Sequence, residues 1–129
     1  MARDNVDLIQ ESWEAFGRGD VDAAAKNAAA EAEIVVPDTL PWGGTYVGPE
    51  GLRDLLGAVR ESFAELKTVP EMVLGADDDH VIVVVRASAR TKRGRSIENR
   101  AAWVYRLRDS RIVRAEQFID TAKTLQALT

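Results

Sequence analysis

The chain has no cysteine and a single histidine, His80, among its 129 residues. The first absence excludes disulfides, thiolate nucleophiles and thiolate metal sites. The second excludes a histidine-rich metal centre and weighs against a Ser-His-Asp triad. No apolar run is long enough to span a bilayer, and MARDNVDLIQES has no apolar signal core. A cytoplasmic protein with no membrane partner is therefore expected. Lys+Arg 17 against Asp+Glu 21 leaves a net charge of −4, so no general attraction to nucleic acid is expected either. The length suits one domain over residues 1–129 and leaves no room for a separate cofactor domain. No cofactor or metal is expected.

What is present is ordinary for a globular protein: 46% hydrophobic and 29% charged residues. Val6, Ile9, Trp13 and Phe16 recur at helical spacing behind a capping Asp4 or Asn5, and Gly17 and Gly19 end that helix. Asp20 opens a second, Ala-rich helix from about Val21 to Ala30. A β-prone stretch, Glu33–Val36, precedes the turn-rich segment PDTLPWGGTYVGPEG. That segment carries Leu40, Trp42, Tyr46 and Val47, more apolar surface than a solvated loop needs, so it should fold over something. Pro49 suits the first turn of a third helix, whose apolar face is Leu52, Leu55, Leu56, Val59 and Phe63. The period then changes to alternation. Strands are expected at Leu66–Gly75, Val81–Arg90, Ser96–Leu107 and Arg111–Ile119, with a closing helix at Thr121–Leu128 capped by Asp120. The fold class is α+β, with helices gathered on one face of a curved antiparallel sheet.

Alternation sorts the faces. Asn99, Ala101, Trp103, Tyr105 and Leu107 share one side of their strand, and Val113, Ala115, Gln117 and Ile119 one side of the next. A three-residue loop at Arg108–Ser110 would set Trp103 across from Ala115 and Ala101 across from Gln117. The strand from Val81 is apolar on both faces at first, which leaves Arg86 and Ser88 open to either side. Arg86 cannot lose its charge, so it lies outside or pairs inside with a ligand anion or an acid such as Asp38 or Glu33. Apolar walls with sparse polar groups describe a small-molecule pocket, and equally a core with satisfied polar groups. His80 and Asp77–Asp79 read as a solvated turn, and Asp120 as a helix cap.

The stretches WEAFGRGDVDAA, LPWGGTYVGPEGL and VYRLRDSRIVRAEQFID resemble the SnoaL-like branch of the nuclear transport factor 2-like superfamily. The resemblance covers nearly the whole chain. It implies a cone-shaped α+β barrel, a sheet wrapped around N-terminal helices with a central pocket, and a homodimer through the outer sheet face. Its members include ketosteroid isomerase, limonene epoxide hydrolase and polyketide cyclases. The catalytic sets of the first two are not retained. The isomerase's tyrosine falls on Ser12, its protonated aspartate on Ala101 and its base near Val36. The hydrolase's acids fall on Arg86 and Gln117, and its arginine on Val84.

Two functions are therefore carried forward. One is cofactor-free acid/base chemistry (cyclisation, isomerisation or epoxide opening) on a mainly apolar ring-type substrate. Asp38 would be the base, with Arg86, Asn99 and Gln117 holding an oxyanion. Trp13, Trp42, Tyr46, Phe63, Ser88, Ala101 and Trp103 would contact the substrate. The other is a non-catalytic ligand-binding or dimeric assembly module of the same fold.

Overall fold

Three aspartates start three of the four helices. In the computed structural model, which describes residues 4–129, the Asp4 carboxylate accepts from the Val6 amide at 2.9 Å, Asp20 from Ala23 at 3.0 Å and Asp120 from Lys123 at 3.0 Å. Each satisfies an amide that the first turn of a helix leaves free. The helices are α1 (Asn5–Gly17), α2 (Val21–Ala25), α3 (Gly48–Glu61) and α4 (Thr121–Leu128). Pro49 stands in the first turn of α3.

Six strands follow the order β2-β1-β6-β5-β4-β3 in one curved, unclosed sheet. They are β1 (Ala28–Val36), β2 (Gly44–Val47), β3 (Phe63–Gly75), β4 (His80–Thr91), β5 (Ser96–Arg108) and β6 (Arg111–Ile119). Helices α1 and α3 pack on its concave face and form the core with it. The sheet is antiparallel except where β1 runs parallel to β6.

Two expectations are corrected here. The Ala-rich second helix stops at Ala25, and β1 begins at Ala28. Alanine is the best intrinsic helix former, but propensity is a weak determinant that tertiary burial overrides. Ala28 and Ala32 gain near-complete burial as strand residues instead. The loop between β5 and β6 is two residues, Asp109 and Ser110, both at positive φ (52° and 61°), as a tight hairpin turn requires. An irregularity between Arg106 and Leu107 adds to the shift, so Trp103 faces Gln117, Tyr105 faces Ala115 and Ala101 faces Ile119. A slip of two residues preserves which side chains face inward. The inward set on β5 therefore stands although its partners change.

Candidate functional site

The concave face of the sheet does not close completely on the helices. A cavity of about 100 Å³ remains between α1, α3, the 37–43 loop, the inner side of β3–β6 and Thr124 of α4. Trp13 and Phe16 enter from α1, and Leu55, Leu56 and Val59 from α3. The sheet supplies Val85, Ala87, Ala89, Ala101 and Trp103, small residues beside a large one, which leaves the space open. Leu40 and Trp42 close it from the loop, and Trp42 meets Phe63 edge-on at 5.7 Å between ring centroids.

Loop 37–43 is held tightly over the cavity. The Leu40 amide donates to Pro37 O and the Gly43 amide to Leu40 O, at 3.2 and 2.9 Å. A β-carbon at Gly43 would lie 2.0 Å from Pro37 O, so only glycine lets the chain turn back this closely. The Tyr46 hydroxyl donates to Trp42 O at 2.6 Å.

Aromatic packing extends behind the cavity. Trp13 and Trp103 meet edge to face at 6.0 Å, and Trp103 stacks on Tyr105 at 6.0 Å. The Trp13 indole N–H donates to the Tyr105 hydroxyl at 3.0 Å. Burial pushes the Tyr105 phenol well above its usual range, and the Trp13 bond offsets only part of this. Arg60 ties the helix ends together: it donates to Phe16 O at 3.0 Å and lies 5.2 Å from the centre of the Phe16 ring.

The polar atoms of the cavity divide into satisfied and unsatisfied. Asn99 Nδ2 donates to Asp120 O at 3.1 Å and Thr124 Oγ1 at 3.0 Å, and Asn99 Oδ1 accepts from the Arg100 amide at 2.9 Å. Gln117 Oε1 and Thr68 Oγ1 are buried without a hydrogen-bond partner among the described residues. No Asp, Glu, His, Lys, Arg or Tyr is found among the described residues lining the cavity.

Of the residues expected at the site, Trp13, Trp42, Phe63, Asn99, Ala101, Trp103 and Gln117 come together on the cavity wall. Four others do not. Arg86 is corrected to the outer face of β4, where it pairs with Glu98 at 2.9 Å, both side chains more than half exposed. Ser88 lies on that same outer face. The reason is parity: Val81, Val83 and Val85 take the inner side, and Ala87 and Ala89 continue it along the wall. Tyr46 is absent from the wall; its hydroxyl instead fixes the backbone of Trp42. Asp38 is exposed on the loop, between the lining residues Val36 and Leu40. An oxyanion-holding role for Asn99 meets a further obstacle, since its N–H groups are already spent on Asp120 and Thr124.

Sequence reasoning missed Thr68 and Thr124. Thr68 shares its face with Leu66 by simple alternation, a signal that was there to find. Thr124 reaches the cavity only because α4 folds back on β5, which no local pattern reveals. The other two polar features read as purely structural agree with the geometry. Asp120 caps α4. Asp77, exposed in its turn, is held below the usual carboxylate range by the His80 ring bond first and the Asp79 amide second.

A curved, unclosed six-stranded sheet with helices on its concave face defines an α+β class of small domains. The SnoaL-like domain model matches residues 9–115, and the chain belongs to that family. An NTF2-like protein of Burkholderia thailandensis E264 superposes with a TM-score of 0.90 at 28% identity, covering 98% of both chains. TerC, crystallised with polyporic acid, superposes at 0.86 with 21% identity over 96% of this chain and 97% of its own, a likeness of fold. An uncharacterized protein of Mycobacterium tuberculosis (strain H37Rv) is 29% identical over 115 residues, 88% of this chain and 87% of its own.

Proposed function

We propose that this protein binds a small, mainly apolar, ring-bearing molecule in the cavity between its helices and sheet. The observation that carries the reading is the wall itself: apolar and aromatic side chains around about 100 Å³, with two polar atoms left unpaired. Such a wall rewards an apolar guest by removing its surface from water. TerC, of the same fold, was crystallised with polyporic acid, which supports small-molecule binding in this architecture. Trp13, Trp42 and Trp103 all line the cavity, so ligand entry changes tryptophan emission. Titration with toluene should shift that emission and raise the melting temperature together. Toluene and phenol, each at near-saturating concentration, both giving neither change removes the reading.

A catalytic version rests on one observation, the placement of Asp38 between Val36 and Leu40, which both line the cavity. An inward turn of this residue would bring a carboxylate to the rim, where it would act as general base for cyclisation, isomerisation or epoxide opening. A base must come within hydrogen-bond reach of the proton that it removes. In this version Asp38→Asn abolishes turnover of a compound that binds, and leaves its affinity unchanged. Turnover equal to wild type excludes Asp38.

The outer sheet face supports a homodimer. Met72, Leu74 and Phe118 are half exposed there, and Ile82, Val84, Ala102 and Val104 lie beside them in register. Arg86–Glu98, Arg100–Glu71 and Arg114–Glu116 frame the patch with both signs of charge. A second copy turned by a two-fold axis would meet its own complement. Sedimentation at micromolar concentration should give a dimer that Phe118→Lys dissociates; a wild-type monomer overturns this.

A further inference from the structure

Gln117 carries information about the ligand that the apolar wall does not. Its Oε1 is buried with no partner among the described residues. An amide oxygen only accepts. Leaving such an atom unpaired is unfavourable, because it has lost water and gained nothing. Gln117 stands directly across from Trp103 in the β5–β6 register, and both face the cavity. An acceptor therefore sits beside a flat aromatic surface. Thr68 Oγ1, the other unpaired atom on the cavity wall, belongs to β3, three strands away in the sheet. A hydroxyl can donate or accept, so Thr68 imposes no polarity of its own. Gln117 carries both an acceptor and donors, but it is the oxygen that the structure leaves buried and unpaired, so a ligand donor completes the side chain as it is placed.

The remaining constraints are size and charge. A cavity of about 100 Å³ is on the scale that takes one six-membered ring, since an apolar cavity of about 150 Å³ holds benzene. No titratable side chain among the described lining residues can neutralise a guest ion, and an unpaired buried charge is far more costly than an unpaired amide.

We infer that the ligand is a neutral single-ring molecule with a hydrogen-bond donor, a phenol-type hydroxyl, which donates to Gln117 Oε1 while the ring packs beside Trp103. This rests on the binding reading above and narrows its ligand class.

The test compares phenol, toluene and benzoate on the intact protein by tryptophan emission, in wild type and in Gln117→Met, which keeps the side-chain length and removes the amide acceptor. Phenol and toluene bind wild type, and benzoate does not. In Gln117→Met the affinity for phenol relative to toluene falls about tenfold, the scale of one buried hydrogen bond. An unchanged ratio overturns the donor assignment while leaving the binding reading intact. Tight benzoate binding overturns the neutral class. Toluene and phenol both failing on wild type removes the binding reading itself. A wild-type crystal soaked in phenol gives a check independent of the variant: the hydroxyl should lie about 2.7–2.8 Å from Gln117 Oε1, and a hydroxyl turned elsewhere overturns the assignment.

Discussion

The two faces of the sheet are made from alternate residues of the same strands, yet they obey different rules. On the inner face of β4 and β5 lie Val81, Val83, Val85, Ala101 and Trp103, each at most 8% exposed. On the outer face of the same strands lie Arg86, Glu98, Arg100 and Arg106, all in water. Polar groups are common outside and cheap to rearrange. Inside they are few, so each must be satisfied by the protein or by something else. Asn99 is satisfied; Gln117 and Thr68 are not. A buried polar atom is thus more informative than any number of surface charges.

Substitution on the two faces should separate them sharply. Trp103→Ala removes the largest shared wall of core and cavity and should cost about 3–5 kcal/mol in urea unfolding. Its outward neighbour Val104→Ala should cost about 1 kcal/mol or less. Equal losses would break the distinction.

Tyr105→Phe comes next. It leaves the Trp13 indole N–H buried without its acceptor, at about 1–3 kcal/mol. The same change alters the alkaline limb. Burial raises the Tyr105 pKa in the folded state, so its contribution to stability is complete below the ordinary tyrosine value near 10 and is lost as pH rises above it. Urea midpoints at pH 8 and pH 11 should therefore fall further apart in wild type than in Tyr105→Phe; an identical spread would contradict the burial of a neutral phenol.

Gln117→Met has the opposite sign. Without ligand it replaces an unpaired buried amide by a thioether of similar volume and should stabilise by about 1 kcal/mol. A clear loss of stability would mean that the amide is already paired in solution. Arg86→Ala is the smallest change, because the exposed pair with Glu98 is worth at most about 1 kcal/mol. A loss above about 2 kcal/mol would show that Arg86 does more than decorate the outer face.

Much of this contrast was legible beforehand. The alternation of Asn99, Ala101, Trp103 and Tyr105 identified the inner side of β5, and Asp4 or Asn5, Asp20 and Asp120 marked the helix starts. Strand β6 and helix α4 have the expected bounds, Arg111–Ile119 and Thr121–Leu128. Three things were not legible. Five valine and isoleucine residues in a row hide the parity of β4, although the continuation through Ala87 and Ala89 against Arg86 and Ser88 would have resolved it. The β5–β6 register depended on where a two-residue turn and an irregularity fell. Asp38 is a candidate base because it stands two residues from Val36, near which the resemblance puts the isomerase's base, but sequence spacing does not say whether a loop residue points in or out.

The parallel pairing of β1 with β6 sets a timetable for the folding of the chain. Ile34 and Ala115 are partners although 81 residues separate them. At about 5–20 residues per second of synthesis, β1 emerges several seconds before the strand that covers its inner edge. Until then its strand partner is β2, its neighbour on the other side, and helix α3 packs against it. The meander β3–β6 has no such delay, since each strand pairs with the one just made. The β1–β6 seam is thus the strand pairing that spans most of the chain, and without β6 the strand β1 presents a free edge.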